Sequence, residues 1–201
     1  MASKNVMYKD ESPGKFRLPR LTFFLFLRYV AADLICLMLS LSVLLLINSV
    51  LGRVVCQLLN FCVLFSLPYG LAWQAGNSDR NKHLFGHIKE DKLKGLKAGL
   101  LASIPFFAVA VLLLLAKAGL FTDGFLYPYR LINSIFFPLN YSLLSGTLSL
   151  TEMAWGPVIL SACWVLILPV IPAFGYVLGY EEFSLHEKFF YKGKKKKRRR
   201  A

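Results

Sequence analysis

Asp33 has the clearest potential for chemistry, because it places a carboxylate inside an otherwise apolar stretch. A carboxylate at the centre of a membrane helix costs roughly 2.5–3.5 kcal/mol on insertion scales, so such residues are commonly functional or paired. A functional Asp33 would bind a proton or a cation. The simpler interpretation, which we favour from the sequence, is a structural hydrogen bond to Tyr69 or a carboxylate that reaches the membrane interface.

Other polar side chains fall in the same apolar part of the chain. If the first two apolar segments form an antiparallel hairpin that turns near residue 50, Asp33 lies level with Pro68 and Tyr69. By the same reasoning Ser40 lies opposite Asn60. Because a proline inside a helix frees a carbonyl one turn earlier, a polar pocket is expected near this depth. The predicted intramembrane polar site comprises Asp33, Ser40, Gln57, Asn60 and Tyr69.

The second apolar segment carries a polar face of its own. Arg53, Gln57 and Asn60 follow a spacing of i, i+4 and i+7, which places them on one side of a helix. Polar residues in membrane helices generally face the interior of a bundle and hydrogen-bond across helices. The face is therefore interpreted as a packing seam, with a path for a solute as the alternative.

Two pairs of glycines have the spacing at which membrane helices approach closely. Gly95 and Gly99 begin the third apolar segment, and Gly175 and Gly179 end the fourth. Small residues four positions apart allow two helix backbones to come together. These four glycines are predicted to be helix-packing positions.

Residues suited to catalysis or metal binding are sparse. His83 and His87 are four residues apart and could share a metal on a helix, but a site normally needs a third ligand, and Gly86 weakens helix formation. The four cysteines form no metal-binding or disulfide pattern. The sequence also lacks a nucleotide-binding glycine loop, a nucleophile elbow and paired carboxylates. We therefore predict no catalytic residue, no metal and no cofactor.

The densest charge lies near the C-terminus. Each basic residue near an anionic membrane surface contributes about 1 kcal/mol of attraction, so anionic lipid is the favoured partner. Ribosomal RNA is the alternative, because the same charge would bind phosphates, and another membrane protein or self-association is also open. The residues predicted to make the contact are Lys194, Lys195, Lys196, Lys197, Arg198, Arg199 and Arg200.

The elements that position these residues follow from hydropathy. Of 201 residues, 56% are hydrophobic, yet the net charge is +13, because apolar and basic residues occupy different parts of the chain. About 20 apolar residues cross a membrane as a helix. The sequence predicts an all-α polytopic membrane bundle, with a lead-in over residues 1–28, spans near 29–47, 54–73, 98–118 and 155–177, and an interfacial segment and tail over 179–201.

Residues 120–153 are moderately apolar and admit two interpretations. A fifth span would bury Arg130 and two prolines, and it would separate the two termini. Tyr127, Tyr129 and Tyr141 are typical of the headgroup level. We therefore predict an interfacial or re-entrant segment on the outer face.

Two sequence patterns have the spacing of a capping box, in which a serine and a glutamate each bond the other's free backbone N–H. The box over residues 149–152 is expected to open the fourth membrane helix. The box over residues 184–187 is expected to open a short interfacial helix.

The distribution of basic residues predicts the orientation. With four spans, 21 lysines and arginines fall on one side, and Arg53, Lys117 and Arg130 fall on the other. The side richer in basic residues is normally cytoplasmic, so both termini are predicted to be in the cytoplasm. The first apolar stretch lacks the features of a cleavable signal peptide. A compact chain without an organelle-targeting pattern favours the inner (plasma) membrane of a bacterium.

These features support three functional hypotheses. The first is a non-enzymatic accessory or assembly subunit that contacts anionic lipid or a partner membrane protein. The second is a small oligomeric transporter or channel that uses Asp33 and the polar face of the second span. The third, a membrane-embedded enzyme that uses His83, His87 and nearby acids, has the least support.

Overall fold

The computed structural model describes residues 17–47, 49–89, 91–120, 122–144 and 149–181. All of the regular structure in these ranges is helical, with short 3₁₀ turns at Asp123–Phe125, Ser134–Phe136 and Trp164–Leu166. The α-helices are α1 (Leu18–Leu46), α2 (Val50–Leu84), α3 (Lys94–Lys117), α4 (Leu126–Ile132), α5 (Phe137–Leu143), α6 (Trp155–Cys163) and α7 (Ile167–Tyr180).

Within the described ranges, four helical units are long and apolar enough to cross a membrane: α1, α2, α3 and the continuous run of α6 and α7. This finding confirms the predicted all-helical chain with four candidate spans. The helices extend beyond the predicted spans. At 1.5 Å per residue α1 is about 44 Å long and α2 about 52 Å, against a hydrocarbon core of about 30 Å. The first helix begins at Leu18, and there is no break at Tyr29.

The helices run alternately between two ends of the bundle. We call the end where α1 and α3 begin and α2 and α7 end the basic end, and the opposite one the far end. In the described ranges the basic half carries nine lysines and arginines and the far half carries three. Helix α2 ends at Leu84 and α3 begins at Lys94, so the connection between them at the basic end is short.

The first helix buries a single narrow stripe of its surface. The buried positions recur every three or four residues, as expected for one face of an α-helix. Its other faces are also apolar, with Leu34 and Met38 exposed by 57% and 67%. Such a helix is suited to lipid rather than water. The stripe consists of Leu21, Leu25, Tyr29, Ala32, Cys36 and Ser40.

Helix α7 lies between α2 and α3, and glycines make this close approach possible. A Cβ atom on Gly179 would lie 2.8 Å from the Trp73 carbonyl carbon, and one on Gly175 would lie 2.9 Å from the Tyr69 carbonyl oxygen. The approach is mutual, because a Cβ on Gly76 of α2 would lie 2.9 Å from the Tyr180 backbone nitrogen. No side chain fits in these places without moving the helices apart.

The opposite side of α7 meets the glycines of α3. A Cβ on Gly95 would lie 2.8 Å from the Pro172 carbonyl oxygen, and one on Gly99 would lie 2.9 Å from the Pro169 carbonyl oxygen. The structure thus places all four glycines noted in the sequence at helix–helix contacts. Gly76, which the sequence did not single out, is equally tight.

A proline in α7 is compensated from α1. Pro172 has no N–H, so the Leu168 carbonyl one turn earlier has no intrahelical donor. The Tyr29 hydroxyl donates to that carbonyl oxygen over 2.7 Å. This bond satisfies a backbone group in the apolar interior and joins two helices.

Residues 126–143 form a helical hairpin, which consists of α4, a tip over residues 133–136, and α5. It follows the far end of α3, and its tip contacts the middle of the bundle between α1 and α2. The hairpin is joined to α6 by hydrogen bonds. Tyr129 donates to the Ser161 carbonyl oxygen over 2.8 Å, and the Ser161 hydroxyl donates to the Asn140 side-chain oxygen over 2.7 Å.

Two sequence expectations differ from the structure here. Tyr129 is fully buried and bonded, so it is not a headgroup-level side chain, whereas Tyr127 is 72% exposed. The predicted capping box over residues 149–152 is wrong: these residues form a turn, and the helix begins later, at Trp155, with no side-chain cap from Ala154. The box over residues 184–187 lies outside the described residues.

We expect Gly179→Ala to destabilise the protein by about 1–3 kcal/mol, because the added Cβ meets the backbone of α2. Gly70→Ala is the matched control, since a Cβ there has nothing within 4 Å and alanine favours the helix. Thermal unfolding of the purified variants in detergent measures both. Equal melting temperatures for the two variants would contradict the close packing of α2 and α7.

Candidate functional site

The tip of the helical hairpin is bound to Asp33 on α1. The Ile135 backbone N–H donates to Asp33 Oδ1 over 3.2 Å, and the Ser134 hydroxyl donates to the Asp33 backbone carbonyl oxygen over 2.5 Å. The partners are about a hundred residues apart in sequence. The carboxylate noted in the sequence thus accepts a backbone N–H at the point where α4 and α5 are interrupted.

The second helix binds the same tip through two amides. Asn60 Nδ2 donates to the Ile135 carbonyl oxygen and to Ser40 Oγ, over 3.2 and 3.1 Å, and Gln57 Nε2 donates to the Ile135 carbonyl oxygen over 3.2 Å. Asn60 and Ser40 are completely buried. We call the set Asp33, Ser40, Gln57, Asn60 and the tip the polar cluster.

Tyr69 does not belong to the polar cluster. Its backbone lies against Gly175 of α7. The other four members of the predicted site, Asp33, Ser40, Gln57 and Asn60, come together around the tip. The antiparallel hairpin of α1 and α2 does place Ser40 opposite Asn60, as reasoned from the sequence, but the partner of Asp33 is the tip.

The polar cluster lies well inside the bundle. Asp33 is thirteen residues from the end of α1 at Leu46, which is about 20 Å at 1.5 Å per residue. Asn60 is ten residues from the start of α2 at Val50, or about 15 Å. The hairpin therefore enters from the far end and returns to it, with its tip near mid-depth.

A second buried centre of charge lies at the basic end. Asp79 of α2, 2% exposed, accepts from Lys94 Nζ of α3 over 2.5 Å and from the Tyr176 hydroxyl of α7 over 2.9 Å. One carboxylate thus joins three helices. Sequence reasoning missed it because Asp79 stands in a polar segment. The signal was available: Ala72, Gly76 and Asp79 continue the buried stripe of α2.

The basic side chains of the far half are bonded to carbonyl groups and aromatic rings. Arg130 donates to the Leu144 carbonyl oxygen over 2.6 Å. Lys117 donates to the carbonyl oxygens of Thr151, over 2.7 Å, and Met153. These bonds tie the loops at the far end to the bundle.

The remaining candidates of the sequence form no recognisable site in the described structure. His83 Nδ1 lies 3.2 Å from the Ile88 carbonyl oxygen, and His87 follows the end of α2. No group of three possible metal ligands exists among the described residues. The basic residues 194–200 lie outside the described residues.

No protein-family model matches the chain, and no significant similarity to a curated protein or a solved structure was found. Its chemistry must be inferred from its own contacts. In the described ranges, the polar cluster and the Asp79 centre both use hydrogen bonds to join helices that are distant in sequence. Both arrangements can hold a bundle together.

We expect Asp33→Ala to destabilise the protein by about 1–3 kcal/mol, because the Ile135 N–H loses its acceptor in a buried place. Asp33→Asn keeps an oxygen acceptor and should cost less. Denaturant unfolding in mixed micelles gives the free energies, with Ser42→Ala as a control for an exposed hydroxyl. The structural role of Asp33 would be refuted if Asp33→Ala were as stable as the wild type.

We expect Lys94→Met to destabilise the protein by on the order of 3 kcal/mol, because it leaves the buried Asp79 carboxylate without its cation. The matched control is Lys97→Met, which breaks the exposed ion pair with Asp91 and should cost under about 1 kcal/mol. The same unfolding titration measures both. A cost for Lys97→Met as large as that for Lys94→Met would show that burial of the pair is unimportant.

Proposed function

We propose that the chain is a non-enzymatic accessory or assembly subunit of a bacterial inner (plasma) membrane, with both termini in the cytoplasm. It acts by contact with anionic lipid or with a partner membrane protein at its basic end. The proposal rests on the partners of the two carboxylates in the interior of the bundle. Asp33 and Asp79 bind other elements of the same chain, as expected for a scaffold.

The charge of the basic end supports the choice of partner. Arg20 and Arg28 are exposed on α1, and Lys89 is exposed between α2 and α3. Each such residue near an anionic leaflet adds about 1 kcal/mol of attraction. The basic residues at 194–200 follow α7, which ends at this same end of the bundle. The exposed residues give the basic end a cationic surface for acidic headgroups or an acidic protein.

Purification from native membranes in a mild detergent tests the proposal. Bound proteins and lipids would be identified by mass spectrometry for the full chain and for a chain truncated after Tyr191. A full-length chain with glutamine at each basic position from 194 to 200 separates the effect of charge from that of length. We expect the wild type to retain a stoichiometric partner protein or enriched anionic lipid, and both variants to lose it.

A wild-type protein that recovers neither a partner nor anionic lipid would contradict this proposal. If all three chains retained the same partner or lipid, residues 194–200 would not be needed for the contact. The contact surface would then be the described part of the basic end. Variants of Arg20 and Arg28 would then locate that surface, since both side chains are exposed.

The interrupted helices favour a second candidate, a small oligomeric transporter or channel. The tip presents the carbonyl oxygens of Ser134 and Ile135 beside Asp33 near mid-depth. Broken helices with backbone groups at the midplane are typical of ion-coupled transporters. Four spans are few for a path through one chain, so oligomerisation would be required.

Flux measurements in liposomes distinguish the two candidates. A transporter predicts ion-dependent flux that is lost in Asp33→Asn while the variant stays folded. A scaffold predicts no flux above that of empty liposomes for the wild type or the variant. Folding would be monitored by the melting temperature of each reconstituted sample.

A further inference from the structure

A groove of about 280 Å³ lies between the far half of α2 and α5. Val54 and Leu58 of α2, with Pro138 and Leu139 of α5, give it apolar walls. Val54 and Leu58 are 53% and 59% exposed, so the groove opens sideways, towards the lipid in the membrane placement proposed above. An acyl chain could enter from the bilayer without crossing a polar barrier.

A cation stands at the outer end of the groove. Arg53 lies in the first turn of α2, where the helix dipole also favours an anion. Its guanidinium carbon lies 5.0 Å from the centre of the Tyr141 ring, and Nη1 lies 3.5 Å from Ser142 Oγ. These contacts orient a fork of five N–H donors, the geometry that matches a phosphate group.

A hydrogen-bond acceptor lies one turn deeper. Gln57 lines the groove and is 5% exposed. Its Nε2 is fixed by the bond to the Ile135 carbonyl oxygen, so Oε1 must be the acceptor. In the described structure that buried Oε1 has no donor. A hydroxyl group of a ligand in the groove would supply the missing donor.

We propose that the groove binds a glycerophospholipid with a single acyl chain. Arg53 binds the phosphate, Gln57 Oε1 accepts from the free glycerol hydroxyl, and the chain lies along Val54, Leu58 and Leu139. The inference rests on the membrane placement in the proposed function, which sets the far end in the outer leaflet. It adds a specific lipid site to the contacts of the basic end.

The order of the groups along α2 selects this class of lipid. Arg53 and Gln57 are four residues apart, so their positions differ in depth by about 6 Å. In a monoacyl glycerophospholipid the free hydroxyl stands on the carbon next to the one that carries the phosphate ester, at a comparable separation. A diacyl lipid has only ester groups at this level, and these cannot donate to Gln57. The small volume also fits one chain better than two.

Native mass spectrometry of the full chain tests the site. Monoacyl phosphatidylcholine, whose headgroup has no hydrogen-bond donor, would be titrated against the protein in mild detergent, in parallel with diacyl phosphatidylcholine and with a monoacyl analogue whose free glycerol hydroxyl is methylated. We expect the monoacyl lipid to bind about tenfold more tightly than either comparison lipid, which is the effect of one hydrogen bond of about 1.4 kcal/mol to a buried acceptor. Equal binding of all three lipids would overturn the proposal.

Variants of α2 locate the bound lipid. Arg53→Gln should weaken binding about tenfold, and Lys97→Gln, which removes an exposed charge outside the groove, should not. Val54→Trp should fill the groove and abolish binding, whereas Val55→Trp, its exposed neighbour outside the groove, should leave it intact. Both tryptophan variants keep every polar contact described above.

Three outcomes would contradict the site. Binding that survives Val54→Trp would place the lipid elsewhere, and loss with Lys97→Gln as large as with Arg53→Gln would make the effect one of net charge. A dimer that disappears only in Val54→Trp would assign the groove to a second copy of the chain. Failure of lipid binding alongside recovery of a partner at the basic end would reject the groove and keep the proposed function.

Discussion

The helical hairpin depends on one constraint: backbone groups that leave a helix in an apolar interior need other partners. The tip over residues 133–136 interrupts α4 and α5 near mid-depth, and it obtains those partners from two other helices. Asp33 accepts the Ile135 N–H, while Gln57 and Asn60 donate to the Ile135 carbonyl oxygen. The polar side chains of α1 and α2 are thus explained by a segment that follows them by about seventy-five to a hundred residues.

The helices pack in different ways in the two halves of the bundle. At the basic end, glycines on α2, α3 and α7 let the backbones touch, and Asp79 joins the same three helices with a buried ion pair and a tyrosine hydroxyl. In the far half the helical hairpin packs against α1, α2, α3 and α6. It leaves one groove against α2, where Arg53 and Gln57 face an apolar wall. The proposed lipid site is a consequence of that incomplete filling.

Much of the fold could be predicted because a helix that crosses a bilayer must be both apolar and long enough. Both properties can be read from the hydropathy of the sequence. Asp33, Ser40, Gln57 and Asn60 were recognisable because a polar residue is conspicuous in an apolar helix. Their common partner was not, since no periodicity connects α1 with residues 134 and 135. Asp79 was hidden for the opposite reason: a carboxylate in a polar segment is ordinary, and only the continuation of the buried stripe from Ala72 distinguishes it.

Hydrogen–deuterium exchange in lipid nanodiscs measures whether the tip is docked between α1 and α2. We expect the backbone amides of residues 134–136 to exchange about as slowly as those in the middle of α3, and much more slowly than the turn at 149–153. Exchange of the tip at the rate of that turn would show instead that the hairpin lies at the surface and that Asp33, Gln57 and Asn60 do not hold it.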